Sequence, residues 1–389
     1  MSRRRRIITI SILGVVMIVG GALSSWWLLH STKDPQLQTQ NRQSILSTVT
    51  LDTQVIVSGL ANPWDIGFLP DNTMLVTERG GELSRVVNGQ KTLVQNIADV
   101  SARGEGGLMS LAVDSDFANN QYIYTCYNST SNDVRVVRWK FNESTAQLSD
   151  KTVLIDDIPA NTSGRHSGCR VRSASDGNIW IGTGDAAESS HPQNLNSLGG
   201  KVLRVTRDGA SVNGNIQNGD RRIFSYGHRN VQGVALLDAP IDGVYGYSVE
   251  HGPGIDDEVN LLSAGNFGWD PKAPYDENVP MTDKTKFPEA VAAVWSSGNP
   301  TLAPSGAAII RGEQWGQYNG SLAIAVMKAQ QVRVLSFEAS NPKTVQGQEV
   351  LFERQFGRIR SVVIGSDGNL YLTTDNGSDD KIIRVTPIS

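Results

Sequence analysis

The sequence predicts an all-β fold, a six-bladed β-propeller preceded by one N-terminal transmembrane helix. Three observations lead there. A strand-turn-strand unit recurs six times along the chain. Glycine and proline are abundant, 39 and 15 of 389 residues, which favours many turns over long helices. One uncharged apolar run near the start is long enough to cross a bilayer.

The N-terminal element comes first. Arg3 to Arg6 are followed by Ile7 to Leu29, which carry no charge. As a helix that run would span roughly 35 Å, enough for a membrane core. Flanking arginines stay cytoplasmic, so everything after the run is exported. Gly20-Gly21-Ala22 offers a cleavage site, but cleavage there would leave Trp26 and Trp27 near the new terminus. Tryptophan at this position suits a membrane interface better. Residues 1–30 are therefore read as a signal anchor, with secretion after cleavage as the alternative. The expected location is the inner membrane, with the folded domain in the periplasm. Residues 31–50 contain Gln36, Gln38, Gln40 and Gln43 and no apolar period, and read as a polar linker.

Residues 51–389 carry the repeat. "SDGNIWIGTGD" (Ser175–Asp185) followed by "GKVLRVT" matches "SDGNLYLTTDN" (Ser366–Asn376) followed by "DKIIRVT". Fainter copies are "LPDNTMLVTERGGELSRVV", "NNQYIYTCYN", "DGVYGYSVEHG" and "NGSLAIAVMKAQQVRVLSF". Each is an alternating strand beside a turn. A small sheet of this kind cannot bury both faces alone, and closing a ring of them solves the problem. The insertion Ala186–Leu198 in the third unit reads as a site loop at one end of the ring.

Net charge of −4 gives no electrostatic case for nucleic acid. Cys126 and Cys169 are the only cysteines, and the sequence leaves their pairing open. His166, in "GRHSGCRV", precedes Asp185 by one strand pattern. Two strands of one hairpin would set the carboxylate beside the imidazole, fixing its tautomer and raising the basicity of the far nitrogen. "YGHRNVQG" groups Arg229 and Asn230, donors suited to a ligand rich in carbonyls or carboxylates. Arg358 and Arg360 lie two apart at a strand, and Lys328 ends another. If these cations converge they suit a polyanion; otherwise they are surface charges. "EHGPGIDDE" (Glu250–Glu258) breaks a strand with Gly-Pro-Gly among four carboxylates and a histidine.

Together "NPWDIGFLPDNTMLVTER", "GEGGLMSLAVDSDF", "RHSGCRV", "GGKVLRV", "SYGHRNVQG", "EHGPGIDDEVNLLSAGNFGW", "APSGAA" and "GRIRSVVIGSDGNLYLTTDN" resemble the PQQ-dependent glucose/sorbosone dehydrogenases of the soluble aldose sugar dehydrogenase type. The resemblance covers essentially residues 51–389 and implies a six-bladed propeller. It implies PQQ and Ca²⁺ as cofactors and oxidation of an aldose to its lactone. His166 then matches the general base, Asp185 the carboxylate that orients it, and Arg229 the group polarising the quinone. Asn230 lies beside the cofactor, and Lys328, Arg358 and Arg360 match its carboxylate-holding groups. The carbonyls of Gly252 and Pro253 match ligands of the cofactor-bridging Ca²⁺. Glu258 and the carbonyl of Phe267 match a separate structural calcium site.

Two positions depart from the family pattern. Glu105 replaces the usual glutamine beside the cofactor, and Cys169 replaces a glycine. A carboxylate beside an anionic cofactor costs energy unless protonated or paired, so Glu105→Gln is expected to tighten PQQ binding. Alternative functions are a calcium-dependent propeller lactonase or esterase, and a non-catalytic glycan- or protein-binding propeller. The expected partners are a sugar, an external electron acceptor that the sequence does not name, and the membrane through the N-terminal helix. Oligomeric state is open, a homodimer among the options.

Overall fold

A computed structural model describes residues 49–338 and 341–388. The anchor expected at Ile7–Leu29 and most of the linker lie outside the described residues. Among the described residues no helix is long and apolar enough to cross a membrane.

The described chain forms six sheets of four or five strands, antiparallel but for one added strand, the blades of a propeller. Blade 1 comprises Pro63–Phe68, Met74–Glu78, Glu82–Val87 and Gln90–Asn96. Blade 2 comprises Leu108–Val113, Tyr122–Asn128, Asp133–Asn142 and Gln147–Pro159. Blade 3 comprises Gly168–Ser173, Ile179–Thr183, Lys201–Val205 and Ile223–Tyr226, with Gly265–Asn266 added in parallel. Blade 4 comprises Val231–Ile241, Val244–Glu250, Glu258–Leu261 and Trp295–Ser296. Blade 5 comprises Pro304–Ile309, Leu322–Val326, Gln331–Glu338 and Asn341–Leu351. Blade 6 comprises Ile359–Ile364, Leu370–Thr374 and Asp380–Ile388, and its outermost strand is Thr50–Leu60 from the start of the domain. The chain thus closes its ring by pairing its first strand with its last, Thr50 opposite Ile388 and Leu60 opposite Asp380. The first strand of each blade packs against the first strand of the next, and blade 6 returns to blade 1.

Each of the six sequence units supplies the second strand of one blade. The near-identical "SDGN" turns have one physical cause. Asp176 accepts from the Asn178 backbone N–H at 2.9 Å and from its amide at 2.7 Å, and Asp367 does the same for Asn369 at 3.0 and 2.7 Å. Gly177 and Gly368 occupy the intervening left-handed position, at φ of 82° and 76°.

Blades bury continuous apolar faces against one another, so the second strands are sealed on both sides: Met74–Glu78, Ile179–Thr183, Leu322–Val326 and Leu370–Thr374 contain no exposed residue. One core cluster joins blades 2 and 3 through Tyr124, Val136, Val171, Ile181 and Leu203. Within it Cys126 is bonded to Cys169, with Cα atoms 6.1 Å apart. That answers the question the sequence left open and adds a covalent link between neighbouring blades.

Candidate active site

His166 and Asp185 stand at the same edge of blade 3. Gly168–Ser173 and Ile179–Thr183 are antiparallel, with Gly168 opposite Thr183. The residues just outside that pairing therefore meet. His166 Nδ1 lies 2.7 Å from Asp185 Oδ1, and the two side chains are 5% and 0% exposed. The approach needs Gly184, where an added Cβ would sit 1.9 Å from the His166 carbonyl oxygen. His166 itself adopts φ 54°, left-handed backbone that a non-glycine residue occupies at some cost and that concentrates at functional positions. Asp185 also accepts from the Ala187 N–H at 2.8 Å and from Trp269 Nε1 at 2.8 Å. With Nδ1–H directed at the carboxylate, the lone pair is on Nε2. Arg165 Nε reaches that nitrogen at 3.2 Å.

Behind His166 lies Glu105. Its carboxylate accepts from the His166 backbone N–H, from Asn230 Nδ2 at 3.1 Å and from Gln232 Nε2 at 2.8 Å. Asn230 Oδ1 in turn accepts from the Gly168 N–H at 3.1 Å. Glu105 and Asn230 are thus brought against the base, as a hydrogen-bonded floor. Arg229 is 6% exposed and its backbone N–H donates to Glu250 at 2.7 Å. Its carbonyl accepts from the Asp185 N–H at 2.8 Å, so Arg229 and Asp185 are stitched together through the backbone.

The remaining cations separate into two kinds. Arg360 is buried and paired with Asp375 at 2.5 Å, and it donates to Gln232 at 3.2 Å. Arg358 is exposed, donates to the Asp375 carbonyl at 3.2 Å, and lies 3.6 Å from Met327 Sδ. Lys328 sits on the turn after Leu322–Val326, not in the strand, and its ammonium donates to Thr301 Oγ1 at 3.2 Å. Among the described residues no carboxylate pairs with Lys328 or Arg358. These two are free to meet an anion, while Arg360 has its counter-charge already.

The Gly-Pro-Gly break has a clear geometry. Asp257 accepts from the N–H groups of Gly252 at 2.9 Å, Leu302 at 2.5 Å and Ala303 at 3.0 Å. That carboxylate locks the turn. The carbonyl oxygens of Gly252 and Pro253 accept no hydrogen bond among the described residues. Uncommitted carbonyl oxygens are the donors a hard cation prefers, so this turn fits Ca²⁺. Glu258 accepts from Asn260 Nδ2 at 3.2 Å and Thr282 Oγ1 at 3.1 Å. Burial, with the charge of Glu250 opposite, pushes its carboxyl up to about 8. The Phe267 carbonyl also accepts nothing among the described residues. A buried carboxylate facing another is an electrostatic setting that a cation relieves. No cluster of three or more metal-binding side chains is found among the described residues, so both candidate sites depend on carbonyls.

Besides Arg165 on His166 and Gln232 on Glu105, three more site residues escaped the sequence reading. Trp269 is one. Tyr275 and Glu277 are the others, from the irregular segment between Gly265–Asn266 and Trp295–Ser296. Tyr275 Oη donates to Asp185 Oδ2 at 2.8 Å and lies 3.0 Å from His166 Nδ1. Burial and the charge of Asp185 push its phenol well above the usual range. Glu277 bridges Arg229 and Arg165. Burial pushes the Glu277 carboxyl up, but the charge and hydrogen bonds of Arg229, with Arg165, leave it below its usual value. Nothing in a loop without period marks such residues; only the density of Tyr, Asp and Glu in "YDEN" hints at them. The insertion Ala186–Leu198 does lie at the site. Lys201 clamps its end, donating to the carbonyls of His191, Pro192 and Gly199 at 2.8, 3.0 and 2.6 Å. A cavity of about 730 Å³ between blades 4 and 5, lined by Arg311, Tyr318 and Phe337, contains none of these groups. Chemistry rather than volume locates the site.

A six-bladed propeller with a buried His–Asp pair and an arginine at one end of its ring is the architecture of a propeller enzyme. The glucose/sorbosone dehydrogenase family model matches residues 60–384, and the chain belongs to that family and, with it, to the oxidoreductases. It is 30% identical over 357 residues to the aldose sugar dehydrogenase YliI of Escherichia coli, across 87% of this chain and 93% of that one. Among solved structures it is similar to the PQQ-bound aldose sugar dehydrogenase of Streptomyces coelicolor, at 28% identity and a TM-score of 0.73, over 88% and 99% of the two chains. It is similar too to the apo form of the soluble Escherichia coli aldose sugar dehydrogenase, at 27% identity and a TM-score of 0.77, over 87% and 100%.

Proposed function

We propose that this protein oxidises an aldose sugar to its lactone, with His166 as general base, PQQ as hydride acceptor and Ca²⁺ at the Gly252–Pro253 turn. The observation that carries this reading is the His166–Asp185 pair at 2.7 Å, set beside Arg229. Asp185 accepts a hydrogen bond from Nδ1–H, which leaves the Nε2 lone pair to receive the proton of the anomeric hydroxyl. Asp185 then balances the imidazolium that forms. Arg229, joined to Asp185 through the backbone, would stabilise negative charge growing on the acceptor side. Lys328 and Arg358, without carboxylate partners, are suited to hold the cofactor's carboxylates. The uncommitted carbonyls of Gly252 and Pro253 are suited to hold Ca²⁺. When bound, PQQ supplies an electrophilic quinone carbon and Ca²⁺ supplies Lewis-acid polarisation. Glu258 and the Phe267 carbonyl are suited to a second, structural calcium.

A lactonase or esterase would use the turn and His166 but would leave Lys328 and Arg358 without a role. The same reading has the propeller in the periplasm, held to the inner membrane by Ile7–Leu29. The buried Cys126–Cys169 bond supports an oxidising compartment.

The test is addition of PQQ and Ca²⁺ to the purified protein, followed by dye reduction with a panel of aldoses. We expect sugar-dependent reduction, and a loss of about 10²–10⁴-fold in rate for His166→Ala with the bound-quinone spectrum retained. A His166→Ala enzyme with near-normal kcat excludes His166 as the base. Failure of the wild type to bind PQQ at all overturns the function.

A further inference from the structure

The segment after Trp269 folds into a small hairpin, with Lys272 and Asp276 exchanging backbone hydrogen bonds of 3.0 and 2.7 Å. From Pro274 onward its residues alternate. Lys272, Pro274, Asp276 and Asn278 are exposed, while Tyr275 and Glu277 turn inward. Between residues 272 and 280, the hydrogen bonds to the rest of the described molecule come from those two side chains alone.

Glu277 makes the stronger attachment. One oxygen accepts from Arg229 Nε at 2.8 Å and from Nη2 at 2.6 Å, and the other is paired with Arg165. The third Arg229 nitrogen, Nη1, donates to the His251 carbonyl at 3.0 Å. Trp269 covers the guanidinium, its ring centroid 5.8 Å from the Arg229 Cζ. The outward edge of Arg229 is therefore taken by a carboxylate of the same chain, and its charge is balanced there. A guanidinium edge binds a carboxylate or a pair of carbonyl oxygens with the same geometry. Two such acceptors cannot share that edge, and two anions there repel each other.

We propose that Glu277 is a resident competitor for Arg229: an anionic, carbonyl-bearing ligand docks on Arg229 only by exchanging with the Glu277 carboxylate. This rests on the quinone reading above and adds to it a residue that sets the affinity of the site. Exchange frees Glu277 to follow Arg165, which is 48% exposed, and it leaves Tyr275 as the hairpin's polar attachment to the buried site. Docking should therefore loosen the hairpin tip rather than tighten it.

The test is a titration of PQQ, with Ca²⁺ saturating, into wild type, Glu277→Gln and Glu277→Ala, read by quenching of tryptophan fluorescence. Hydrogen exchange over residues 272–280 is measured with and without PQQ. We expect binding at least about 10-fold tighter in both variants, which corresponds to about 1.4 kcal/mol. In wild type we expect faster exchange over 272–280 once PQQ is bound. Equal or weaker binding in the variants overturns the proposal, as does slower exchange in the loaded protein, since either makes Glu277 part of the bound site. PQQ binding by the variants but not by wild type supports the competition at Arg229 and overturns the quinone reading for the native protein. If none of the three proteins binds PQQ, the quinone reading falls and this one with it. Wild-type binding with unchanged variants removes only this one.

Discussion

Glu105 shows how far a single residue can be read before its neighbours are known. Charge alone expects Glu105→Gln to bind PQQ more tightly. The geometry adds an opposing cost. Three donors converge on the carboxylate, the His166 N–H, Asn230 Nδ2 and Gln232 Nε2. A glutamine offers one oxygen and one NH₂. With its oxygen toward His166, its NH₂ faces two other amide donors. Gln232 cannot turn over freely, because its oxygen accepts from Arg360 at 3.2 Å. Glu105→Gln should therefore destabilise the protein by about 1–3 kcal/mol, the cost of unsatisfied buried donors. Denaturant unfolding of the two proteins measures it; a variant as stable as wild type would mean that the floor reorganises. Tyr275 gives a second prediction. Tyr275→Phe removes one donor from Asp185 Oδ2 and leaves the ring in place. We expect kcat to fall by about 10-fold, the equivalent of one hydrogen bond of about 1.4 kcal/mol, with KM little changed and the pH–rate profile displaced. A change in KM alone would make Tyr275 a sugar contact and not a positioning residue.

At the scale of elements, the repeat was legible because each unit is a local event. The Asp-Gly turn and the alternating strand are written within about a dozen residues, so all six second strands were found. The His166–Asp185 meeting followed from the same hairpin logic. What stayed hidden depends on long-range closure. Nothing local says that Thr50–Leu60 pairs with Asp380–Ile388, because that partner is more than three hundred residues away. Tyr275 and Glu277 were hidden for a related reason: their loop has no period, and its place over the site is set by the blades on either side. The closing strand carries its own prediction. It buries Val57 and Leu60 and covers the edge of the last blade. A chain beginning at residue 62 loses those contacts, worth about 1.5–3 kcal/mol for each buried side chain. It also exposes an unpaired edge. We expect a lower unfolding midpoint and concentration-dependent aggregation. A monomeric truncation with an unchanged midpoint would show that the ring holds without its closing strand.

For the whole molecule, the ring is tied at its axis by one carboxylate. Asp65, fully buried in blade 1, accepts from Ser110 Oγ at 2.7 Å in blade 2 and from Ser361 Oγ at 3.0 Å in blade 6. Arg170 and Arg172 of blade 3 each reach it at 2.8 Å. Four blades thus meet on one side chain. Burial alone would raise the Asp65 carboxyl, but the charges of Arg170 and Arg172 prevail and hold it well below the usual carboxylate range. Burial lowers Arg170 to about 9, against the pull of Asp65, so the guanidinium stays charged at neutral pH. Removing one member of such a pair strands the other. Asp65→Asn should cost about 3–5 kcal/mol, because Arg170 is left without its counter-charge at 0% exposure. The pH dependence has a definite sign. A carboxyl depressed in the folded state contributes stability that is present above its unfolded pKa, about 4, and is lost as pH falls toward the folded value. The stability difference between wild type and Asp65→Asn should therefore be level from pH 5 to pH 8 and shrink below pH 4. Urea unfolding of both proteins across that range measures it. A difference below about 1 kcal/mol at pH 7 would mean that the ring does not depend on this hub. One that stays level to pH 3 would mean that Asp65 is not held ionised by its arginines.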